Sequence, residues 1–153
     1  MFYGEDGDLI KWLATNPLLT PQLGTGDDAA VFWEQVKGGV DTPYLRLTVG
    51  SNESIDHLVG QTDRENSILQ IYCYSDTPGN ANHLALHVRE AFKQFRRGRM
   101  RATVSEDAGT WVDRCNGFAV DSGADSPKEG IDASRRFWCL LAVRLTHAAQ
   151  VAE

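Results

Sequence analysis

The chain has 153 residues, 42% of them apolar and 24% charged, which suffices for one well-packed core and is too short for two comfortable domains. Its formal net charge of −6 argues against generic wrapping of nucleic acid, which needs Lys and Arg to release counterions from phosphate, and leaves open only a local basic patch. Cys73, Cys115 and Cys139 form no CxxC pair and two of them lie in alternating apolar runs, so they read as reduced core residues of a cytosolic product.

Residues 1–8 carry acids and glycines where a secretory leader would need a basic start and an apolar run. No stretch approaches the ~20 continuous apolar residues of a membrane span, so folding in a cytoplasm is expected. Leu9, Ile10, Trp12 and Leu13 fall at helical spacing, and Asp6 or Asp8 as cap with Pro17 as stop predicts a short first helix. Two prolines with Gly24 and Gly26 make residues 17–28 a surface connection, and residues 29–36 then read as a first strand closed by Gly38-Gly39.

The run from Tyr44 to Gly50 alternates, with Tyr44, Arg46 and Thr48 on one face and Leu45, Leu47 and Val49 on the other. Residues 51–66 are polar and acidic apart from Ile55, Leu58 and Val59, and predict a long contact loop. Residues 67–75 form the next strand, with Leu69, Ile71 and Cys73 on one side and Ile68, Gln70, Tyr72 and Tyr74 on the other. Thr77-Pro78-Gly79-Asn80 supplies a turn and an N-cap to a helix whose stripe is Ala81, Leu84, Val88, Ala91, Phe92 and Phe95, with Gly98 as its expected stop.

Residues 110–120 predict another strand, in which Asn116-Gly117 reads as either a bulge or a hairpin turn. Residues 121–131, rich in Ser, Gly, Asp and Pro, predict a second exposed loop. The last strand is the clearest, Phe137, Cys139, Leu141, Val143 and Leu145 alternating against Arg136, Trp138, Leu140, Ala142 and Arg144. The fold class is α+β over residues 1–153: a small, mainly antiparallel sheet of four to five strands, one main helix on one face, and a short N-terminal helix.

None of the motifs that carry chemistry is compelling. His83, His87 and Glu90 share a helical face and have the spacing of metal ligands, but they lie beside the apolar stripe with no third His or Cys nearby in sequence, so a structural role is the stronger reading. Gly24-Thr25-Gly26 lacks the rest of a phosphate cradle, the acids Glu5, Asp6, Asp8, Asp27 and Asp28 do not match a calcium loop, and no serine sits in a GxSxG elbow. The expectation is a protein with no catalytic residue, no metal and no cofactor. Lys93, Arg96, Arg97, Arg99 and Arg101 concentrate five cations at the end of a helix, more than its dipole asks for, and divide evenly between a solvated surface and a docking patch for an acidic partner or DNA backbone.

One helix of ~16 residues, ~24 Å long, can cover one face of a four-stranded sheet ~19 Å wide. Ile68, Tyr72, Trp138 and Leu140 put large apolar groups on the opposite side, more than the short first helix would bury, and a patch of that kind marks a protein contact. These four residues are the candidate subunit interface, in which the sheet packs on or continues into a neighbour, and repetition by rotation closes a ring.

The short N-terminal helix, the Thr42-Pro43-Tyr44-Leu45 strand start, the Leu69–Ser75 strand LQIYCYS, the helix with Ala85, Val88, Arg89 and Phe92, and the closing strand RFWCLLAVRL together resemble the tail-completion, or tail-terminator, proteins of long-tailed double-stranded-DNA phages. The resemblance spans nearly the whole chain and implies a hexameric ring on the head-proximal end of the tail tube, which stops tube polymerisation and presents a surface to the head connector. It further implies a virion protein assembled in the host cytoplasm, with itself, the tube protein and the connector as partners. DNA would pass through the lumen unbound, and no membrane would be involved. The polar insertion over residues 121–131 and the basic cluster depart from the family pattern. Two other readings stand beside it: a head-tail adaptor of the neck, and a small nucleic-acid-binding or metal-dependent accessory protein using the arginines or His83, His87 and Glu90.

Overall fold

The computed structural model describes residues 3–4, 7–24, 29–36, 42–57, 60–95, 98–100, 110–125 and 136–148. In chain order these form α1 (Asp8–Thr15), α2 (Thr20–Leu23), β1 (Val31–Trp33), β2 (Tyr44–His57), β3 (Gly60–Ser75), α3 (Pro78–Gln94), β4 (Gly98–Met100), β5 (Thr110–Asp125) and β6 (Arg136–Ala148). The strands make one sheet in the order β1-β2-β3-β6-β5-β4. Every pairing is antiparallel except β1 with β2, so the α+β, mainly antiparallel expectation holds, and the sheet gains one short strand, β4, at its edge.

Period-2 alternation sorts the sheet into two faces. Leu45, Leu47, Leu69, Ile71, Cys73, Leu141, Val143 and Leu145 form one side of the core and meet Leu84, Val88 and Phe92 of α3. Burying each of those three helix side chains stabilises the fold by about 1.5–3 kcal/mol. Leu9, Ile10 and Leu13 of α1, with Leu19 and Leu23, join the same cluster, and Trp12 packs on Phe92 and Phe95 at centroid distances of 5.0 and 5.6 Å. All three helices therefore lie on one side of the sheet. The first helix, expected to lend some cover to the opposite face, does not reach it.

The Thr77 hydroxyl accepts from the Asn80 N–H at 3.1 Å with Pro78 in the first turn, the predicted start of α3. The helix stops earlier than predicted, at Gln94, where Phe95 turns extended, and Gly98 opens β4 instead. α1 begins after Gly7 with no side-chain cap: Asp8 is its first residue, and Asp6 lies outside the described residues.

The supposed surface connection over residues 17–28 contains α2 and buries Leu19 and Leu23, because two leucines four apart anchor the turn to the core. The predicted strand over residues 29–36 shrinks to three residues. It ends where Glu34 takes a positive φ of 62°, a conformation that disrupts extended pairing; the Gly38-Gly39 closure lies outside the described residues.

Residues 51–66 are not a loop. β2 and β3 run on as one long hairpin to His57 and Gly60, with register shifts after Val49 and Ser54. Asn116-Gly117 is neither bulge nor turn: both pair in regular register with Arg144 and Val143, and the shifts fall at Val112/Arg114 and Ala119/Asp121. The second predicted loop starts late, since residues 121–125 belong to β5, and residues 126–131 lie outside the described residues. Among the described residues no helix is long and apolar enough to cross a membrane.

Candidate subunit interface

The face turned away from the helices carries an aromatic strip at one end of the sheet. Tyr44, Tyr74, Trp138 and Gly123 stand side by side on β2, β3, β6 and β5, and one step along come Arg46, Tyr72, Leu140 and Asp121. Tyr44 stacks on Tyr74 at 4.7 Å, Tyr74 lies 6.4 Å from Tyr72, and Tyr72 meets Trp138 edge-on at 5.7 Å. Phe32 of β1 extends the strip by meeting Tyr44 at 6.3 Å.

Two arginines are laid against these rings. The Arg46 guanidinium sits 4.3 Å above the centre of Tyr72, and Arg136 lies over Tyr44 at 5.8 Å while donating from Nη1 to its hydroxyl at 3.1 Å. Each such contact adds about 0.5–1 kcal/mol at an exposed site and pins a side chain that would otherwise wander. These contacts order the strip within its own chain, and a preordered surface loses less entropy on association.

Of the four predicted interface residues, Tyr72, Leu140 and Trp138 come together at this strip, and all four are half-buried within their own chain. Ile68 stands apart, beside Arg144, separated from them by the Gln70–Ala142 rung. Tyr44 and Tyr74 are nearly covered by their neighbours, at 3% and 9% exposure, so they stiffen the strip more than they present it. No described helix covers the face.

Sequence reasoning passed over Gly123, which fixes the pose of Trp138. A Cβ at that position would lie 2.6 Å from Cζ2 and 2.9 Å from Cε2 of the indole, so the ring rests directly on the glycine. The contact runs from one strand to its neighbour, so it becomes visible only once register sets Gly123 beside Trp138.

The remaining candidates do not converge on a site. His83 and His87 lie 4.3 Å apart between ring centroids, His87 hydrogen-bonds Gln22 across to α2, and Glu90 accepts from Gln94 at 3.2 Å. Among the described residues no group of three or more His, Cys, Asp or Glu side chains is placed to hold a metal. Of the basic cluster, Lys93 is exposed in the last turn of α3 and Arg99 is in β4, beyond the helix end. Arg96, Arg97 and Arg101 lie outside the described residues.

The cysteines are core residues, as expected. Burial raises the Cys73 thiol far above its ordinary value, with Cys139 beside it adding to the shift, and burial pushes Cys115 up to about 11. Cys115 donates to the Phe92 carbonyl at 3.1 Å, tying β5 to α3. His147 is a further buried polar group that the sequence did not flag. Its Nε2 lies 2.9 Å from Ser67 Oγ and 3.0 Å from the Tyr3 hydroxyl, and it closes the core beneath the N-terminal segment.

No protein-family profile matches the chain, and no curated protein matches it. Among solved structures, a chain from the virion of a native gene transfer agent particle is similar at 15% identity and a TM-score of 0.42, over 91% of this chain and 93% of that chain.

Proposed function

We propose that this protein is a structural virion subunit that assembles as a ring on the head-proximal end of a phage tail tube, ends tube polymerisation and forms the surface that joins the tail to the head connector. The observation that carries the reading is the sheet face that no described helix covers, where a preordered strip of Tyr72, Trp138 and Leu140 is half-buried among the described residues. A surface of that kind suits contact with a neighbouring virion subunit, either a second copy or the tube that the ring abuts.

The function is geometric and asks for no catalytic residue, metal or cofactor. Its partners are further copies, with six as the expected number, then the tube protein on one side and the connector on the other. DNA passes through the lumen without specific binding, and the net charge of −6 keeps the wall from holding a polyanion. Electron microscopy of particles made without the protein tests the role. Overlong or unjoined tails support a terminator, whereas finished tails beside heads that leak DNA would assign the protein to the neck as an adaptor.

A further inference from the structure

Among the described residues the sheet has two long bare edges. β1 pairs with β2 only at Leu45, Arg46 and Leu47, so among the described residues the outer edge of β2 is unpaired over residues 48–57. β4 pairs with β5 only at Thr110, Trp111 and Val112, so among the described residues the outer edge of β5 is unpaired over residues 113–125. Neither stretch contains a proline. Each bare edge offers main-chain donors and acceptors over roughly 33–43 Å, a standing template for another strand.

The two edges match in direction. β2 and β6 run one way and β3 and β5 the other, so a second copy that continued the same sheet would lay its β2 antiparallel beside β5. The short edge strands then fix the offset. β1 of the second copy falls in line with β5 and must clear its end at Asp125. β4 falls in line with the second copy's β2 and must clear its tip at His57.

Both conditions are met by one slide. β1 ends level with Ile71 of β3, while Asp125 pairs with Arg136, one rung beyond Ser75, so clearing β5 takes a slide of about six rungs. β4 reaches down to Gly98, level with Val112, His147 and Glu65, while His57 pairs with Gly60, so clearing the tip takes about four to six rungs across its irregular register. After a six-rung slide the bare part of β2 lies against the bare part of β5 along its whole length. An even slide also keeps helix-facing positions on the same side in both copies.

We infer that copies of this chain join edge to edge, residues 48–57 of one against residues 114–125 of the next, so that a single antiparallel sheet runs round the ring. The inference rests on the ring reading above and names its contact. Six rungs amount to ~20 Å along the strands, against ~19 Å across the four full strands that each copy adds. The strands therefore tilt by ~45° to the axis, beside the 35–45° of closed barrels, and the stagger closes into a ring instead of climbing into a filament. The aromatic strip, which belongs to the face and not to the edge, is left for the next protein of the virion.

With this offset, backbone positions 52 and 122 of adjoining copies stand opposite each other, at the rung of Cys73 and Cys139. In the full chain carrying Cys115→Ser, the pair Asn52→Cys and Ser122→Cys under mild oxidation is expected to give a ladder of covalent multiples. The ladder ends at the ring size seen by native mass spectrometry, and neither single cysteine gives one. Amide exchange of the unaltered chain supplies a check free of variants, with residues 48–57 and 114–125 slowing on assembly. Rings whose edge amides exchange as they do in the monomer overturn the edge contact and leave the ring reading standing. Covalent dimers from one single variant also overturn it, because they report a two-fold edge. A chain that stays monomeric at every attainable concentration overturns both.

Discussion

Gly123→Ala isolates the close approach that holds Trp138 on the face turned away from the helices. The new Cβ would lie 2.6 Å from Cζ2 and 2.9 Å from Cε2 of the indole. Carbon atoms rest at about 3.5–4.0 Å, so the ring must retreat by about 1 Å. It retreats against Tyr72, 5.7 Å away, which Arg46 holds from the other strand. Overpacking on this scale costs about 1–3 kcal/mol, whereas replacing a strand glycine by alanine returns about 0.5–1 kcal/mol of backbone entropy. A net loss of about 1–2 kcal/mol is expected from urea unfolding at a concentration where the chain is unassembled, with a changed near-UV tryptophan signal. In a Trp138→Ala background the obstacle is gone, and Gly123→Ala becomes neutral or stabilising, a coupling of about 1–3 kcal/mol. Equal cost in both backgrounds, or a stabilised single variant, would refute the reasoning.

Three further outcomes are expected. Thr77→Ala removes the oxygen that accepts from the Asn80 N–H and lowers stability by about 1 kcal/mol, read by thermal unfolding, with Thr77→Ser retaining most of it. Ser67→Ala deprives buried His147 of a partner and costs about 1–2 kcal/mol, where a neutral result would show that the ring does not depend on the serine hydroxyl. Because the thiols of Cys73, Cys115 and Cys139 are raised above their ordinary value of 9.0, they stay protonated in the folded chain where the unfolded chain has lost its protons. Their contribution to stability is therefore constant below pH 9 and is lost as pH rises from there toward about 11, and thiol reagents at pH 8 label the native protein slowly; rapid labelling of all three would contradict their burial.

The strands that the sequence revealed are those with one side in the core. Leu45, Leu47, Leu69, Ile71, Leu141 and Val143 lie under α3, and burial on one face only is what writes a period-2 pattern. Residues 51–66 carry no such pattern and read as a loop, yet they form the far end of the β2–β3 hairpin, because main-chain pairing holds strands together whatever their side chains are. β1 is too short to show a period, and its parallel pairing with β2 follows from tertiary position alone. α2 is a single turn whose buried Leu19 and Leu23 are too few to register as a helical stripe.

The face turned away from the helices was legible in part. Tyr72, Trp138 and Leu140 stand out in the sequence as large apolar groups on the far side of good strands, whereas the part played by Tyr44 and Arg46 depends on the register that sets them beside Tyr74 and Tyr72. Gly123 and His147 gain their meaning only from partners on another strand or segment, Trp138 and Tyr3, so no local pattern could give them away.

Sedimentation of the purified chain over a wide range of concentration bears most directly on whether this sheet is completed by further copies. The expected result is a discrete, closed species of fixed mass, six copies on the family resemblance, that forms with rising concentration and does not grow beyond it. A single monomer boundary up to the limit of solubility would contradict the account.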